Sequence, residues 1–206
     1  MPTLPASLFW QRLDTAGSDH ALIDDHAGLH ASGTALAASP VPYTCRYEIR
    51  TDPSWTTARL DVSTEGAGWR RTLRLELAAG RWRATTAEHG DLDRALAAAG
   101  HARAGLPGTE DADQLFGAFD VDVAALPLFN SLPIRRLRLT GAEPGVAHRL
   151  NVAYVLVPSL EVVQADQIYT GLGPGRVRFS SESFSADLDV DPAGYVTHYP
   201  GLASRH

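Results

Sequence analysis

The sequence contains one cysteine, Cys45, and this scarcity excludes an internal disulfide framework. A single thiol is typical of a chain that folds in a reducing compartment. Cys45 lies in a segment of alternating apolar and polar residues, where a free cysteine is usually a small buried side chain. We therefore interpret Cys45 as a core residue and not as a nucleophile.

Long hydrophobic runs are missing as well. No window approaches the ~18 consecutive apolar residues that a membrane-spanning helix requires. The first ten residues, Met1 to Trp10, lack both the basic start and the apolar stretch of a secretory signal. From these absences we expect a soluble protein of the cytoplasm without a transmembrane segment.

Charge of one sign is not concentrated anywhere, because acids and bases are interleaved along the chain. The formal net charge of −6 gives no support for nucleic acid as a partner. A composition of 44% hydrophobic and 20% charged residues is typical of a globular protein. The length of 206 residues suits one domain, so we predict a single domain over residues 1–206.

Alternation with period two is what the sequence has in abundance, and it predicts that strands dominate. Clear examples are residues 43–50, 69–77, 150–157 and 184–190. Short strands joined by short turns favour one large antiparallel sheet that curls or partly closes. The segment 150–157 is apolar on both faces, which predicts that something packs on each side of it.

Two helices are also predicted, both between the strand at Trp82 and residue 117. Asp91 to Gly100 begins with a capping acid and ends at a glycine. Thr109 to Gly117 begins with an N-cap threonine and carries acids in its first turn. The predicted fold class is therefore mainly β, of α+β type: a large curled antiparallel sheet, or half-barrel, packed around one or two helices.

The most informative stretch is residues 120–139, which places acids, an amide and arginines in an apolar context. Asp120 and Asp122 share one face of a strand, opposite two valines. If residues 135–139 form a strand, Arg135 lies on the same side as Leu137 and Leu139, and its guanidinium would point toward the core. A buried charge costs several kcal/mol unless it is paired. The stretch is either an internal ion-pair latch or the polar end of a cavity.

These residues resemble a bacterial family of glycolipid-binding proteins, in which Asp-x-Asp precedes a proline, an asparagine and Leu-Pro-Ile-Arg-Arg-Leu. The matching positions are Asp120 to Asp122, Pro127, Asn130 and Leu132 to Leu137. Further matches run in order from about residue 43 to 202: Trp55, the 69–77 strand, Arg81-Trp82, residues 155–160, Gln167 to Tyr169, Asp191 to Gly194 and Tyr199 to Gly201.

The resemblance implies a many-stranded half-barrel around a helix, similar to bacterial lipoprotein carriers that shield acyl chains. It also implies a glycolipid or lipid-like ligand. Two features depart from the family pattern. Residues 83–117 form a longer link than usual, which we predict to be an atypically long helical insert, and His20 stands where the family more often has glutamate.

Ten residues are candidate ligand contacts. Arginine forks suit phosphate or carboxylate, and asparagine and aspartate suit sugar hydroxyls. The alternative is structural, since Asp–Arg pairs and an asparagine could lock an irregular crossing between two prolines. Aromatic side chains could line a cavity or simply fill the core. The polar candidates are Asp120, Asp122, Asn130, Arg135 and Arg136, and the aromatic candidates are Trp55, Trp69, Trp82, Tyr169 and Tyr199.

Signals for catalysis or metal binding are thin. His20, His26 and His30 lie among acids, but the surrounding string is typical of a turn, so we predict no metal site and no cofactor. No Gly-x-Ser-x-Gly elbow is present, and no catalytic residue is assigned.

We therefore expect a non-enzymatic protein that holds an amphiphilic ligand, with the apolar part on the concave face of the sheet and the headgroup at the polar cluster. Two alternatives stay open. One is an enzyme that acts on a lipid or sugar conjugate, with Asp120 or Asp122 as acid or base. The other is a structural domain without a ligand, for which an exposed sheet edge offers a route to a homodimer.

Overall fold

A computed structural model describes residues 6–182 and 184–206. Residues 1–5, half of the segment inspected for a secretory signal, lie outside the described residues, as does Ser183. The described strands form one fourteen-stranded sheet. They are β1 (Ala6–Arg12), β2 (Gly17–Asp24), β3 (His30–Ala37), β4 (Tyr43–Thr51), β5 (Thr57–Gly66), β6 (Trp69–Ala78), β7 (Arg81–Gly90), β8 (Asp120–Val123), β9 (Ala147–Val155), β10 (Val162–Gly173), β11 (Arg176–Ser180), β12 (Ser185–Val190), β13 (Val196–Tyr199) and β14 (Ala203–Arg205).

The sheet consists of two meanders that meet at the first and last strands. Strands β1 to β7 follow one another antiparallel, as do β9 to β14. Strand β1 pairs antiparallel with β14, with Trp10 opposite Arg205 and Arg12 opposite Ala203. Strand β8 is added to the edge parallel to β9. The mainly β prediction, with a large curled sheet and few helices, is confirmed, and the parallel pair is an addition to it.

The two edge strands, β7 and β8, are connected by residues 91–119, which run along the seam between them. The Trp82 indole on β7 donates to the Ala118 carbonyl at 3.0 Å. Gly108 donates its amide to the Leu160 carbonyl, and Val162 donates to the Gly108 carbonyl, both at 2.7 Å. The predicted insert at 83–117 therefore divides into strand β7 and a strap that covers the seam.

The helices of this strap differ in part from the prediction. Helix α1 (Leu92–Ala98) begins where expected, because Asp91 accepts a hydrogen bond from the Arg94 amide at 2.8 Å. The second predicted helix is only a 3₁₀ turn at Ala112–Leu115. Its cap is Asp111, which accepts from the Asp113 amide at 2.9 Å, and not Thr109. The Asp111 side chain starts the turn two residues later, since short acids compete for nearby amides.

The core has two hydrophobic clusters, and residues 120–141, which we call the buried segment, contribute side chains to both. One cluster joins the inner faces of β1 to β7 with Val121, Phe129 and Leu132 of this segment. The other joins β10 to β13 with Ile134 and Leu139. In β9, neighbours Val152 and Ala153 point to opposite faces and are both buried, as predicted for a strand covered on both sides.

The end of the buried segment is helical, so the strand predicted around Arg135 is wrong. A 3₁₀ turn at Pro127–Asn130 leads into helix α2 (Ser131–Arg136), and a second 3₁₀ turn follows at Leu139–Gly141. Pro127 and Pro133 both lie in first turns, where a missing amide costs no hydrogen bond. Of the helices in the described residues, none is long and apolar enough to cross a membrane.

Candidate functional site

Asp120 and Arg136 form a closed ion pair inside the fold. The Asp120 carboxylate is 1% exposed and accepts two hydrogen bonds from the Arg136 guanidinium, at 2.6 and 3.1 Å. Burial raises the pKa of Asp120, and Arg136 acts in the opposite direction. This bidentate geometry satisfies the charge of both groups. An internal ion pair was one interpretation of this stretch, but its arginine is Arg136 and not Arg135, which the alternation had selected.

Arg135 takes part in a second closed contact, on a different side of helix α2. Its guanidinium lies over the Trp55 ring at 4.3 Å and forms an ion pair with Asp25 at 3.3 Å. It also donates to the Ala193 carbonyl. Tyr195 completes the arrangement, because its hydroxyl donates to Asp25 at 3.0 Å. Trp55 and Arg135 therefore stabilise the contact of α2 with two turns, which we call the arginine latch.

Asp122 has a different environment from Asp120. Gln167 on β10 donates to Asp122 Oδ2 at 2.5 Å, and Gln167 Oε1 accepts from the Tyr169 hydroxyl at 3.2 Å. Tyr169 in turn accepts from the Asn130 amide at 2.9 Å. Within the described part of the chain, Asp122 forms no ion pair. The hydrogen-bond chain ends on a carboxylate without a cationic partner.

This carboxylate faces a cavity of about 240 Å³ that we call the aromatic pocket. The pocket lies between the buried segment and the inner face of β8 to β13. Strand register explains part of it, since Asp122 on β8 stands opposite Tyr154 on β9. The lining residues are Asp122, Ala125, Leu126, Asn130, Tyr154, Ala165, Gln167, Phe179, Ser181, Phe184, Tyr199 and Leu202.

The electrostatics of the pocket are set by burial. Loss of solvation raises the pKa of Asp122 to about 6, with a further contribution from the nearby charge of Asp120, while the bond from Gln167 lowers it. Burial and the Asp122 charge also raise the pKa of Tyr154, to about 12, and they raise the pKa of Tyr199 above its usual value. At neutral pH the pocket therefore holds one carboxylate, mostly ionised, beside neutral phenols.

Three rings form the outer wall of the pocket. Phe179, Phe184 and Tyr199 have centroids 6.2 Å apart in every pair. Phe184 and Tyr199 are close to parallel, with an angle of 28° between their planes. Phe184 is 47% exposed, so it marks the mouth, whereas Tyr199 is buried. An exposed ring beside a polar floor is the kind of surface that ligands with mixed polarity contact.

The remaining predicted aromatic residues lie away from this pocket. Trp69 is in the core of the N-terminal meander, and Trp82 is bonded across the seam. Of the ten candidates, the structure brings Asp122, Asn130 and Tyr199 together at the pocket wall, with Tyr169 directly behind them through its hydrogen bonds. Cys45 is buried on the inner face of β4, as predicted.

The three histidines considered as metal ligands, His20, His26 and His30, do not form a common site. His20 bonds to Ser7, and His30 bonds to Glu48, on the outer face of the sheet. Among the described residues, no group of three or more histidine, cysteine or acidic side chains is arranged to hold a metal ion.

Nine of the twelve lining residues were not among the ten candidates, and they include Gln167, Phe179 and Phe184. One signal could have found Gln167. It alternates with Tyr169 on a strand, so both side chains share the inner face, where a buried amide needs a polar partner. Phe184 carried no such signal, because its place at the mouth depends on the turn between β11 and β12.

A larger groove of about 750 Å³ crosses the outer face of β2 to β7. Its charged side chains largely pair with one another: Arg46 with Glu65, Arg74 with Asp61, and Arg50 with Glu48. Exposed pairs of this kind are ordinary surface features. The aromatic pocket is the better candidate because its polar groups are buried and one of them lacks an ionic partner.

Comparison with known proteins gives a consistent result. A profile of the family described as "Putative glycolipid-binding" matches residues 7–205. The fold is similar to the crystal structure of a DUF1089 family protein from Pseudomonas aeruginosa, with a TM-score of 0.68 and 26% sequence identity over 91% of this chain and 92% of that chain. No curated protein gives a significant match.

Proposed function

The chain belongs to this glycolipid-binding family, and from that premise we propose that it binds the polar headgroup of an amphiphilic ligand in the aromatic pocket, without turnover. The observation that carries the proposal is the pocket itself. A cavity of about 240 Å³ combines buried hydrogen-bonding groups on its floor with aromatic rings at its mouth. Sugar-like headgroups present hydroxyls to the former and apolar ring faces to the latter.

The size of the cavity limits what it can hold. Pockets for whole drug-sized ligands usually measure ~300–1,000 Å³, so about 240 Å³ suits a headgroup alone. The hydrophobic part was expected on the concave face of the sheet. Phe129, Leu132 and other side chains of the buried segment occupy that face, and we therefore place the tail outside the mouth, beyond Phe184.

The test is binding of soluble methyl glycosides, measured by ligand-observed NMR with the purified protein. We expect saturation transfer to at least one monosaccharide glycoside. Phe184→Ala should abolish it, because this ring forms the mouth of the pocket. The variant should stay folded, since Phe184 is half exposed and its removal leaves the core intact. Leu36→Ala is the matched control, since Leu36 is also half exposed but lies on the outer face of β3. Absence of binding by every glycoside and by octyl glucoside would overturn the proposal.

One observation favours a second candidate, a hydrolase of sugar conjugates. Asp122 has a pKa raised to about 6 beside a cavity, as a general acid or base would. Asp120 is unavailable for such a role because Arg136 occupies both of its oxygens. Release of nitrophenol from nitrophenyl glycosides, abolished by Asp122→Asn, would identify this activity, and no release would remove it.

A further inference from the structure

We infer that the headgroup bound in the aromatic pocket carries an organic ammonium group, which pairs with Asp122 and lies against the rings at the mouth. The inference rests on the proposed function and names the chemistry of its ligand. It reverses the expectation of a phosphate or carboxylate group, which followed from the arginines of the buried segment.

The first step is the charge of the pocket. Among the described residues that line it, Asp122 alone carries a formal charge. The two arginines nearest in sequence are committed elsewhere, Arg136 to Asp120 and Arg135 to Asp25. An anionic headgroup would therefore meet a buried carboxylate without any compensating cation, and like charges in a buried site repel strongly. A cationic group would supply the missing partner.

The second step is the unfilled capacity of Asp122. An ionised carboxylate has two oxygens that accept about four hydrogen bonds. Gln167 uses Oδ2, and no described residue donates to Oδ1. The donors in the chain from Asn130 through Tyr169 and Gln167 all point toward the carboxylate, which makes Asp122 its final acceptor. A ligand N–H group would complete this chain.

The third step is the shape of the aromatic wall. The centroids of Phe179, Phe184 and Tyr199 lie 6.2 Å apart in every pair. Cation–π attraction requires a cation within ~6 Å of a ring centroid. A cation in the adjoining cavity could meet this distance to more than one of the three rings. Clusters of aromatic rings are a usual means by which proteins hold quaternary ammonium groups. Sugar hydroxyls alone would need no such negative charge.

The experiment compares probes of different charge, of which methyl glucosaminide and methyl glucoside differ only by an ammonium group in place of a hydroxyl. Titration calorimetry at pH 7 and moderate salt would use methyl glucosaminide, its N-acetyl derivative, methyl glucoside, glucose 6-phosphate and tetramethylammonium chloride. We expect methyl glucosaminide to bind at least tenfold more tightly than the N-acetyl derivative, and tetramethylammonium to compete with it. Asp122→Asn should remove this preference, whereas Asp166→Asn, on the exposed face of β10, should keep it.

The outcomes separate the inference from the proposed function. Equal affinities for the charged and neutral glycosides, or tighter binding of glucose 6-phosphate, would overturn the inference and leave headgroup binding in place. Binding of tetramethylammonium without any glycoside would overturn the proposed function, whose headgroup is sugar-like, but would still support an ammonium site at Asp122. Absence of binding by all probes would overturn both. Because Asp122→Asn is isosteric, circular dichroism and the melting temperature would show whether the variant stays folded.

Discussion

Asp19 on β2 is a carboxylate without contact to solvent. Its side chain is fully buried, the Tyr47 hydroxyl donates to one oxygen at 3.0 Å, and the other oxygen has no hydrogen-bond partner among the described residues. Burial raises the pKa of Asp19 to about 7, while the bond from Tyr47 and the charge of Arg12 lower it. An aspartate in the unfolded chain has a pKa of about 3.9.

The sign of the resulting pH dependence follows from these two values. Since the folded pKa is the higher one, the contribution of Asp19 to stability is full below about pH 4. It is lost as pH rises toward 7, the folded pKa. Each pKa unit corresponds to about 1.4 kcal/mol, so the loss at pH 8 amounts to about 4 kcal/mol at most.

We predict that Asp19→Asn raises the free energy of unfolding by about 1–3 kcal/mol at pH 8 and has little effect at pH 4, because asparagine carries no charge to desolvate. Urea unfolding at both pH values measures this difference. Asp166→Asn, at an exposed position, serves as the control. A difference between Asp19→Asn and the natural protein that is the same at both pH values would contradict the prediction.

Two arginines show how far single residues can be predicted from sequence. Alternation selected Arg135 as the inward charge, but Arg135 is on a helix and half-buried. The same rule applied to β6 selects Arg71, between Trp69 and Leu73, and Arg71 is indeed 1% exposed. It pairs with Glu88 and donates to the Ser159 carbonyl. The rule is sound, and it failed where the secondary structure was assigned wrongly.

At the scale of elements, the arginine latch connects helix α2 to the turn after β12. Asp191 and Gly194 close that turn, as their sequence predicted, and Gly194 has a φ of +89°. A Cβ atom at Gly194 would lie 2.8 Å from Arg135 Cδ. Gly145 has a similar φ of +92° but open space around it. The two glycines therefore separate backbone strain from contact with the latch.

We predict that Gly145→Ala costs about 1 kcal/mol, from the left-handed backbone alone. Gly194→Ala should cost about 1–2 kcal/mol more, because the methyl group displaces the Arg135 side chain from Trp55. Urea unfolding gives the two costs. Tryptophan fluorescence of the folded state should change in Gly194→Ala and stay constant in Gly145→Ala, and equal spectra and costs would argue against the latch.

Elements were predictable where one signal dominated. The strands β4, β6 and β12 alternate clearly, and Asp91 caps α1 as expected. Helix α2 was missed because six residues are too few to show a repeating helical pattern of apolar residues. Pro127 and Pro133 are also compatible with breaks in a sheet. Tertiary packing of Leu132 and Ile134, both buried, decides the conformation.

At the scale of the whole molecule, the junction of β1 and β14 connects the two meanders. Ala203 is fully buried there, opposite Arg12 and Tyr199. Trp10 lies on β1, and its indole donates to the Val196 carbonyl on β13 at 2.8 Å. The pairing of β1 with β14 could not be predicted from the sequence, because no residue pattern in either strand indicates which distant strand it pairs with. The aromatic pocket could not be predicted for the same reason, since its walls come from five strands and the turns between them.

We predict that Ala203→Asp lowers the free energy of unfolding by roughly 3–5 kcal/mol, since it buries a second carboxylate beside Arg12, whose guanidinium is already paired with Asp14. Ser204→Asp, one residue on and facing the other side of the sheet, should cost less than about 1 kcal/mol. Fluorescence and circular dichroism should report one common transition for Ala203→Asp. Separate unfolding of the two meanders would show that they are stable independently.

The pairing of β1 with β14 also has a consequence for synthesis on the ribosome. Strand β1 is the first of the fourteen to emerge and β14 the last, so one edge of the nascent N-terminal meander has no partner until translation has passed all the other strands. Exposed edges of this kind recruit other chains. The order of synthesis therefore leaves the growing polypeptide open to association with its neighbours on a polysome until β14 has emerged.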